Sequence, residues 1–559
     1  MSVILKVTDL SLKLDGNPQK VLVDNISFSL ETGKILGIVG ESGSGKSLTS
    51  LSITGLLPEN ITVSSGKVVF YDSSAEIELS SPEIKNIRKY RGRKIAMIFQ
   101  EPMTSLNPSM TCGTQVEEAI LAHSKMKNCL LKEKVISLFN EVSLPRPEII
   151  YHSYPHQLSG GQRQRLMIAI ALSADPAVLI ADEPTTALDV TVQKNIIRLL
   201  KNLKESRGLS IIFISHDLRL IREISDDILV MRNGKVEEYA SSTELFLNPV
   251  SAYTRGLIAC QPPLRNKPER LLTIGDFELN DGPILHEKRQ RKEVDYSTEP
   301  LLQIKNLSVD YNLPGGFFSA SRGVFKAVNK VSLEVYPGET LGLVGESGCG
   351  KTTLGKTILK LLNSKEGEIF FRGENISTLK GKKLKDFRKS VQVVFQDPFS
   401  SLNPGQTVHQ MLDEAIRFHK PWLKAGQRKQ KIIQLLLSVG LLESDMSKYP
   451  HQFSGGQRQR ICIARSLSPD PIFLILDESV SALDVSVQAQ VLNLLNDLKD
   501  QFGLSYLFIS HDLSVVKYMS DRMVVMRAGI IEETGNPQQI FDNPAKEYTR
   551  ELIASIPGI

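Results

Sequence analysis

Cysteine is scarce in this chain, and its spacing argues against two kinds of site. Five cysteines occur among 559 residues, and none forms a C-x-x-C pair. Zinc sites and disulfide frameworks need clustered or regularly spaced cysteines, so neither is expected here. The pattern is typical of a protein that works in a reducing cytosol.

Long apolar runs are also missing. No stretch of the sequence approaches the roughly 18 to 20 apolar residues that a membrane helix needs. The first residues, M-S-V-I-L-K-V-T-D-L, lack the basic start and the apolar core of a signal peptide. We therefore expect a soluble chain whose membrane role, if it has one, comes through a partner.

Neither sign of charge dominates the sequence. The chain has 67 Lys and Arg residues against 62 Asp and Glu residues, for a net charge of +5. This mild excess is spread along the chain, which favours an ordinary solvated surface over a nucleic-acid or anionic-membrane interface. No nucleic-acid partner is expected, and the length predicts two or more domains.

What the chain does contain is an internal repeat. G-E-S-G-S-G-K-S begins at Gly40, and G-E-S-G-C-G-K-T begins at Gly345; both fit the phosphate-binding pattern G-x-x-x-x-G-K-[ST]. Later motifs recur 295 residues apart, as Asp182 and Asp477 do. The repeat predicts two duplicated ATPase domains, residues 1–262 and 301–559, with a nucleotide site in each.

Residues 263–300 match nothing in this repeat and are rich in Pro, Lys, Arg, Glu and Asp, with a charged run from His286 to Glu293. We interpret them as a polar linker. A plain tether is favoured over a regulatory or docking element, although both interpretations remain open.

Short apolar runs predict the core of each domain. Runs such as I-L-G-I-V-G, which ends at Gly40, and A-V-L-I-A-D, which ends at Asp182, are bounded by polar residues. Such runs suit a parallel sheet that is covered on both faces. A mostly helical stretch is expected in each half, for example at residues 131–142 and 428–439. The predicted fold class is therefore α/β.

The two glycine-rich loops are the predicted phosphate cradles. Backbone N–H groups close around phosphate oxygens there, and the positive end of the following helix points at them. The lysines would contact the β- and γ-phosphates, and the hydroxyls of Ser47 and Thr352 would ligate Mg²⁺. The predicted nucleotide-binding residues are Gly40, Glu41, Ser42, Gly43, Ser44, Gly45, Lys46 and Ser47, and Gly345, Glu346, Ser347, Gly348, Cys349, Gly350, Lys351, Thr352 and Thr353.

Polar residues at the ends of later apolar runs supply the predicted catalytic groups. An aspartate that ends a buried strand can hold Mg²⁺, and the glutamate after it can act as general base towards the attacking water. A histidine after another strand is predicted to contact the γ-phosphate or that water. These residues are Asp182, Glu183 and His216 in the first half and Asp477, Glu478 and His511 in the second.

With these motifs, the chain resembles the ABC-type ATPases over nearly all of both halves. The resemblance implies two tandem P-loop NTPase domains, each a RecA-like core with a helical subdomain, that dimerise within one chain. It also implies that each phosphate loop works with the S-G-G-Q signature of the other half, and that Asp189 and Asp484 lie in the loop that crosses this interface. Gln100 and Gln396 would join the Mg²⁺ ligands and link the γ-phosphate to a membrane partner. The signature residues are Ser159, Gly160, Gly161 and Gln162, and Ser454, Gly455, Gly456 and Gln457.

Finer motifs resemble those of dipeptide, oligopeptide and nickel importers. These are Q-[DE]-P-x-x-S-L-N-P, A-L-D-V-[TS]-V-Q and N-P-x-x-x-Y-T-R, the last with Tyr253 and Tyr548. The chain looks most like the fused ATPase of peptide importers of the microcin C-uptake type. That implies ATP and Mg²⁺ as cofactors, two membrane permease subunits, a periplasmic binding protein, and a peripheral position on the cytoplasmic face of the inner membrane. Nickel or small-solute import, a fused sugar importer and a soluble twin-ATPase translation factor are the alternatives.

The sequence departs from the family pattern at several positions. Tyr311 fits the aromatic residue that stacks on adenine, but the matching position in the first half is Leu14. Ser479 replaces Pro184 after the second glutamate, with little effect expected. No cysteine-rich C-terminal segment suited to an iron–sulfur cluster is present, so no cluster is expected. Cys349 lies near a helix N-terminus, where its thiol pKa is expected to fall and make it reactive. The alternative, an unreactive small residue, stays open.

Overall fold

The computed structural model describes residues 2–16, 20–72, 75–80, 87–100, 105–186, 188–265, 267–278, 293–312 and 324–558. The chain forms two compact units. The first comprises Met1–Ile258 and Ile274–Asp281, and the second comprises Ala259–Thr273 and Gly282–Pro557. Among the described residues, no helix is both long and apolar enough to cross a membrane.

The first unit contains two sheets. One is antiparallel, with strand order β2-β1-β4-β5, and the other has the order β10-β9-β3-β8-β7-β6. The second sheet is parallel apart from β10, which runs antiparallel to β9. The strands are β1 (Val3–Leu14), β2 (Val21–Glu31), β3 (Ile35–Val39), β4 (Ile61–Asp72), β5 (Ala75–Glu78), β6 (Ile95–Ile98), β7 (Val178–Asp182), β8 (Ser210–Ser215), β9 (Asp227–Arg232) and β10 (Lys235–Ser241).

Helices cover the mostly parallel sheet, and further helices form a separate helical region between β6 and β7. The helices of the first unit are α1 (Lys46–Thr54), α2 (Cys112–Leu121), α3 (Asn128–Glu141), α4 (Pro147–His152), α5 (Gly160–Leu172), α6 (Val190–Arg207), α7 (Leu218–Ile224), α8 (Ser242–Leu247), α9 (Ala252–Ala259) and α10 (Gly275–Glu278).

The second unit repeats both sheets, with strand orders β12-β11-β14-β15 and β16-β17-β18-β13-β19-β20. Its strands are β11 (Leu302–Asn312), β12 (Val324–Val335), β13 (Thr340–Val344), β14 (Glu366–Phe371), β15 (Glu374–Asn375), β16 (Val391–Val394), β17 (Phe473–Asp477), β18 (Ser505–Ser510), β19 (Arg522–Arg527) and β20 (Ile530–Gly535). Its helices are α11 (Lys351–Ile358), α12 (Gly381–Ser390), α13 (Pro398–Ser401), α14 (Val408–His419), α15 (Ala425–Ser438), α16 (Gly455–Leu467), α17 (Val485–Phe502), α18 (Leu513–Met519), α19 (Pro537–Asp542) and α20 (Glu547–Ala554).

The predicted α/β class is confirmed in both units. Every residue of β3, β7 and β8 is buried, as are all residues of β13, β17 and β18. Parallel strands that are covered on both faces need continuous apolar runs, and these sequences supply them. The parallel arrangement brings the carboxyl ends of β3, β7 and β8 to one edge of the sheet.

Part of the predicted linker packs on the second unit. The backbone N–H of Leu271 donates to Oδ1 of Asn493 (3.0 Å), and Nδ2 of Asn493 donates to the carbonyl of Leu271 (2.9 Å). Arg270 pairs with Asp497 at 3.2 Å, and Lys267 donates to the carbonyl of Ser520 at 2.8 Å. We call the described part of residues 264–273 the strap. The charged run from His286 lies almost wholly outside the described residues, and the boundaries 263 and 300 stay a prediction.

We expect Leu271→Ala to destabilise the second unit by about 2 to 4 kcal/mol, because the Leu271 side chain is buried and its loss leaves a cavity. Calorimetry should show a lower unfolding temperature for one transition. Leu272→Ala is the matched control, because that neighbour is only partly buried. An equal decrease in unfolding temperature in both variants would contradict specific packing of the Leu271 side chain.

Candidate nucleotide site

The first phosphate loop joins β3 to α1, and its first glycine is required by a close approach. A Cβ at Gly40 would lie 2.1 Å from the carbonyl oxygen of Met231, at the end of β9. The second loop joins β13 to α11 in the same way, with a Cβ at Gly345 placed 2.1 Å from the carbonyl oxygen of Met526. Any side chain at either position would push the loop away from the sheet.

A buried lysine follows each loop. Nζ of Lys46 donates to the carbonyls of Gly40 and Glu41, both at 2.8 Å. Nζ of Lys351 donates to the carbonyls of Gly345 and Glu346 at 2.7 and 2.8 Å. Each ammonium group therefore lies inside the curve of its own loop, where it can reach a phosphate oxygen.

Each loop hydroxyl faces the aspartate that ends β7 or β17. Oγ of Ser47 lies 3.2 Å from Oδ1 of Asp182, and Oγ1 of Thr352 lies 3.1 Å from Oδ1 of Asp477. Burial is the main cause that raises the pKa of Asp182 to about 6, and it raises the pKa of Asp477 as well. A hydroxyl and a carboxylate side by side are oxygen donors of the kind that Mg²⁺ prefers, so these residues fit the metal.

Glu183 collects the remaining polar residues of the first site. Its Oε2 accepts from Nε2 of Gln100 at 3.2 Å and lies 3.3 Å from Nδ1 of His216. Oγ1 of Thr186 donates to the same oxygen at 2.8 Å. Burial alone would raise the pKa of Glu183, but the hydrogen bond and charge of His216, with smaller contributions from Thr186 and Lys46, lower it to about 2.

The second site has the same arrangement with one difference. Oε2 of Glu478 accepts from Nε2 of Gln396 at 2.7 Å and lies 3.4 Å from Nδ1 of His511. Burial alone would raise the pKa of Glu478, but the hydrogen bond and charge of His511 outweigh burial and lower it. Burial alone would lower the pKa of His511, but Glu478 outweighs burial there and raises it. Ser481, which matches Thr186, donates to the backbone carbonyl of Glu478 at 2.9 Å instead of its carboxylate.

Both glutamates adopt an uncommon backbone conformation, with φ of 45° at Glu183 and 47° at Glu478. Non-glycine residues rarely occupy this left-handed region, and such residues concentrate at functional sites. The repeated strain places each carboxylate opposite its histidine. The sequence analysis did not predict a role for Thr186. The signal was that a hydroxyl residue, Thr186 or Ser481, lies three residues after the glutamate in both halves.

Local contacts hold the signature residues at the starts of α5 and α16. Oγ of Ser159 accepts from the N–H of Gln162 at 3.3 Å, and Oε1 of Gln162 accepts from the N–H of Ser159 at 2.9 Å. Ser454 and Gln457 form the same reciprocal cap at 3.3 and 3.1 Å. A Cβ at Gly161 would lie 2.7 Å from Val192. The N–H groups of the first turn at a helix start suit an anion.

The interface-loop aspartates differ between the halves. Asp189 caps α6, because its Oδ1 accepts from the N–H of Val192 at 2.8 Å, whereas Asp484 makes no side-chain cap on α17.

Tyr311 is the penultimate residue of β11. Its hydroxyl oxygen lies 3.4 Å from Oγ1 of Thr353 in the second loop region, and 40% of its surface is exposed. Asp9 and Asn306 have φ values of 50° and 48° and mark the same irregularity in β1 and β11. Five residues further on, Leu14 therefore occupies the place of Tyr311. Adenine stacking by Tyr311 remains a prediction.

The expectation of a lowered thiol pKa at Cys349 is wrong. The side chain is 5% exposed, and burial raises its pKa despite Lys351, whose Nζ lies 3.7 Å from the sulfur. The helix N-terminus and the nearby ammonium favour the thiolate, but the desolvation cost is larger. Cys349 is therefore a small buried residue of the loop.

The raised pKa of Asp182 gives a stability prediction. Its pKa of about 6 in the folded chain exceeds the ordinary aspartate pKa of 3.8, so the folded state disfavours the ionised form. The resulting cost, about 3 kcal/mol when fully ionised, is absent at about pH 4 and complete above pH 6. We expect Asp182→Asn to raise the unfolding temperature at pH 8 and to lose this advantage at pH 4. Asp15→Asn, at an exposed position, should show neither effect.

Comparisons with known proteins identify the family. The ABC transporter family model matches residues 23–186 and 328–481, and an AAA-domain model matches residues 152–222, which overlap the end of the first of these matches. A model described as the oligopeptide/dipeptide transporter C-terminal region matches residues 237–278 and 533–559.

Curated relatives align with almost the whole chain. The glutathione import ATP-binding protein GsiA of Escherichia coli strain K12 is 44% identical over 566 residues, which cover 99% of this chain and 89% of the relative. The corresponding protein of Salmonella typhimurium strain LT2 is 44% identical over 563 residues, with the same coverage.

Two solved structures align with about half of the chain. The first is cbiO1 from Clostridium perfringens, part of the transporter complex cbiONQ, at 27% identity and a TM-score of 0.39; the alignment covers 44% of this chain and 92% of that one. The second is the cassette MJ0796 bound to ADP and phosphate, at 25% identity and a TM-score of 0.38; the alignment covers 42% of this chain and 98% of that one. The family matches and the full-length relatives decide the assignment. The chain belongs to the ATP-binding proteins of the ABC transporter family and is an ATPase of the oligopeptide and dipeptide importer type.

Proposed function

We propose that this chain supplies both ATP sites of an importer for small peptides. It docks on two membrane permease subunits at the cytoplasmic face of the inner membrane, and a periplasmic binding protein delivers the cargo. The observation that carries the proposal is that each unit has a buried loop lysine, a hydroxyl–aspartate pair, and a glutamate within hydrogen-bonding distance of a glutamine and a histidine. The relatives named as glutathione import proteins support a small-peptide cargo.

The proposed chemistry follows from the contacts. Lys46 and Lys351 neutralise phosphate charge from inside their loops. Mg²⁺, when bound by the hydroxyl–aspartate pairs with Gln100 and Gln396, supplies further neutralisation of the phosphates. Glu183 and Glu478, kept ionised by their histidines, orient water for in-line attack. Tyr311 stacks on adenine in the second site, and Leu14 provides only an aliphatic contact in the first.

We further propose, from the family resemblance, that each ATP site works with the signature motif of the other half of the chain. The first site would then pair Lys46, Asp182, Glu183 and His216 with Ser454, Gly455 and Gly456. The second would pair Lys351, Asp477, Glu478 and His511 with Ser159, Gly160 and Gly161. By the same resemblance, Asp189 and Asp484 would belong to the loop that meets the other half of the chain. The reciprocal caps at both signatures support the proposal, because they leave the first N–H groups of α5 and α16 available to an anion.

The alternatives differ in their support. Relatives that cover 99% of the chain are import proteins, which argues against a translation factor. Nickel or another small solute and microcin-type peptides stay alternatives, because cargo is selected by proteins outside this chain.

Two measurements test the proposal. Tagged chain purified from detergent-solubilised host membranes should retain two polytopic subunits, identified by mass spectrometry. A deletion strain should lose uptake of labelled glutathione or dialanine, and wild-type chain, but not the Glu183→Gln/Glu478→Gln variant, should restore it. Co-purification of ribosomal proteins without membrane subunits would overturn the importer, and restored Ni²⁺ uptake alone would replace the cargo.

A further inference from the structure

The repeated motif N-P-x-x-x-Y-T-R has no role in the chemistry described so far. Its tyrosines, Tyr253 in α9 and Tyr548 in α20, lie more than 200 residues after the phosphate loops of their units. Both fall within the segments matched by the oligopeptide/dipeptide transporter C-terminal region. The structure nevertheless places each hydroxyl against its own phosphate loop.

The contact is the same in both units. The hydroxyl oxygen of Tyr253 accepts from the backbone N–H of Glu41 at 3.4 Å, and that of Tyr548 accepts from the N–H of Glu346 at 3.3 Å. The tyrosines are 2% and 5% exposed. Burial is the main cause that raises the pKa of Tyr548, so its hydroxyl stays protonated at any physiological pH. The two occurrences are separate instances of one geometry.

The strand beside each loop fixes the ring of the tyrosine. The guanidinium of Arg232 lies 4.7 Å from the centroid of the Tyr253 ring, and that of Arg527 lies 4.6 Å from the Tyr548 ring. These arginines directly follow Met231 and Met526, whose carbonyls leave no room for a side chain at the first loop glycine. The ring and the loop are thus packed against the same strand end.

The lysine and the tyrosine hold opposite sides of one peptide segment. Lys46 binds the carbonyls of Gly40 and Glu41, and Tyr253 binds the N–H of Glu41. A lysine that donates to phosphate gives up part of its contact with these carbonyls, because it has only three N–H donors. The tyrosine binds the N–H group on the other side of this segment, so its contact can remain when the lysine donates to phosphate.

We propose that Tyr253 and Tyr548 are positioning residues that clamp the first turn of each phosphate loop and thereby set the affinity for ATP. The C-terminal region of each unit is then part of the nucleotide site. This inference rests on the proposed function only for the role of the loops in ATP binding.

Tyrosine-to-phenylalanine variants of the full chain test the clamp, because they remove the hydroxyl and keep the ring. We expect Tyr253→Phe and Tyr548→Phe each to raise the KM for MgATP and the Kd of a fluorescent ATP analogue about three- to tenfold, as for the loss of one hydrogen bond. The kcat should stay within about twofold. Tyr239→Phe is the matched control, since its hydroxyl donates to the Ser29 carbonyl at 3.1 Å, away from the loop.

Each outcome decides the question. An unchanged KM in both variants, or the same rise in Tyr239→Phe, would overturn the clamp. Partial unfolding lowers the apparent kcat but leaves KM unchanged, so a loss confined to kcat also counts against it. A wild-type chain that hydrolyses ATP without any uptake function would refute the importer and leave the clamp intact, because its readouts need only ATP.

Discussion

Glu183→Gln and Glu478→Gln are each expected to reduce ATP hydrolysis by the whole chain at least about tenfold, and the double variant should lose about 10²- to 10⁴-fold. Glutamine keeps the size of the side chain but cannot take a proton from water. The carboxylates accept hydrogen bonds from Gln100 and Gln396 and lie within reach of His216 and His511, so they are the groups placed to act as bases. Steady-state phosphate release measures the effect.

Glu205→Gln, at an exposed position on α6, is the control and should leave activity unchanged. The single variants carry the information about coupling. If the two sites act together, losing either base stalls the cycle. A single variant that stays near wild type would show that the sites are unequal, and the contact of Thr186 with the Glu183 carboxylate, which Ser481 does not make with Glu478, would be the first difference to examine.

Lys46→Met and Lys351→Met are expected to weaken ATP binding at the altered site by about 10- to 100-fold, since a charge-assisted hydrogen bond to phosphate is lost. Methionine fills a similar volume without a charge. The variants should also be less stable, because the buried carbonyls of Gly40 and Glu41, or of Gly345 and Glu346, lose their donor. Calorimetric titration with ATP and thermal unfolding measure the two effects.

Lys235→Met provides the control for a lost lysine, because its side chain is exposed and pairs with Asp24 on the surface. It should bind ATP like wild type and unfold within about a degree of it. Unchanged ATP binding in both loop variants would contradict the assignment of the loops as phosphate sites.

The structure was predictable from the sequence where a short continuous pattern determines it. Continuous apolar runs gave the buried strands, and the glycine-rich loops lie where the pattern put them, between β3 and α1 and between β13 and α11. The topology of parallel strands then explains why residues as distant in sequence as Ser47 and Asp182 meet. The two residues are 135 positions apart in the sequence, but both lie at the edge of the sheet where the parallel strands end, and this places them in contact.

Burial was the property that the sequence did not reveal. Cys349 sits where a helix N-terminus and Lys351 favour a thiolate, yet its enclosure by the loop reverses the shift. Thr186 and Tyr253 were missed for a related reason. Both residues lie in repeated motifs, but their contacts with Glu183 and Glu41 depend on side-chain direction and on packing of the C-terminal region, which the motifs do not show.

The strap was hidden by its composition, which resembles that of a solvated tether. Its partners lie on α17 and α18, more than 200 residues further along the chain. The Asn493 amide bonds both backbone groups of Leu271, and the Tyr518 hydroxyl donates to the same amide oxygen at 3.1 Å. In the repeat, Arg198 and Glu223 replace Asn493 and Tyr518, so the corresponding surface of the first unit lacks these hydrogen-bonding groups.

The strap also bears on how such a fused chain can evolve. A break in the gene just before β11 would leave the second unit's coding region without residues 259–273, and the Asn493 amide would lose both of its bonds to Leu271. A split pair of proteins would have to recover that segment on the correct partner. The fusion is therefore harder to reverse than a simple joining of two genes, since the second unit depends on a segment that precedes its repeated sequence.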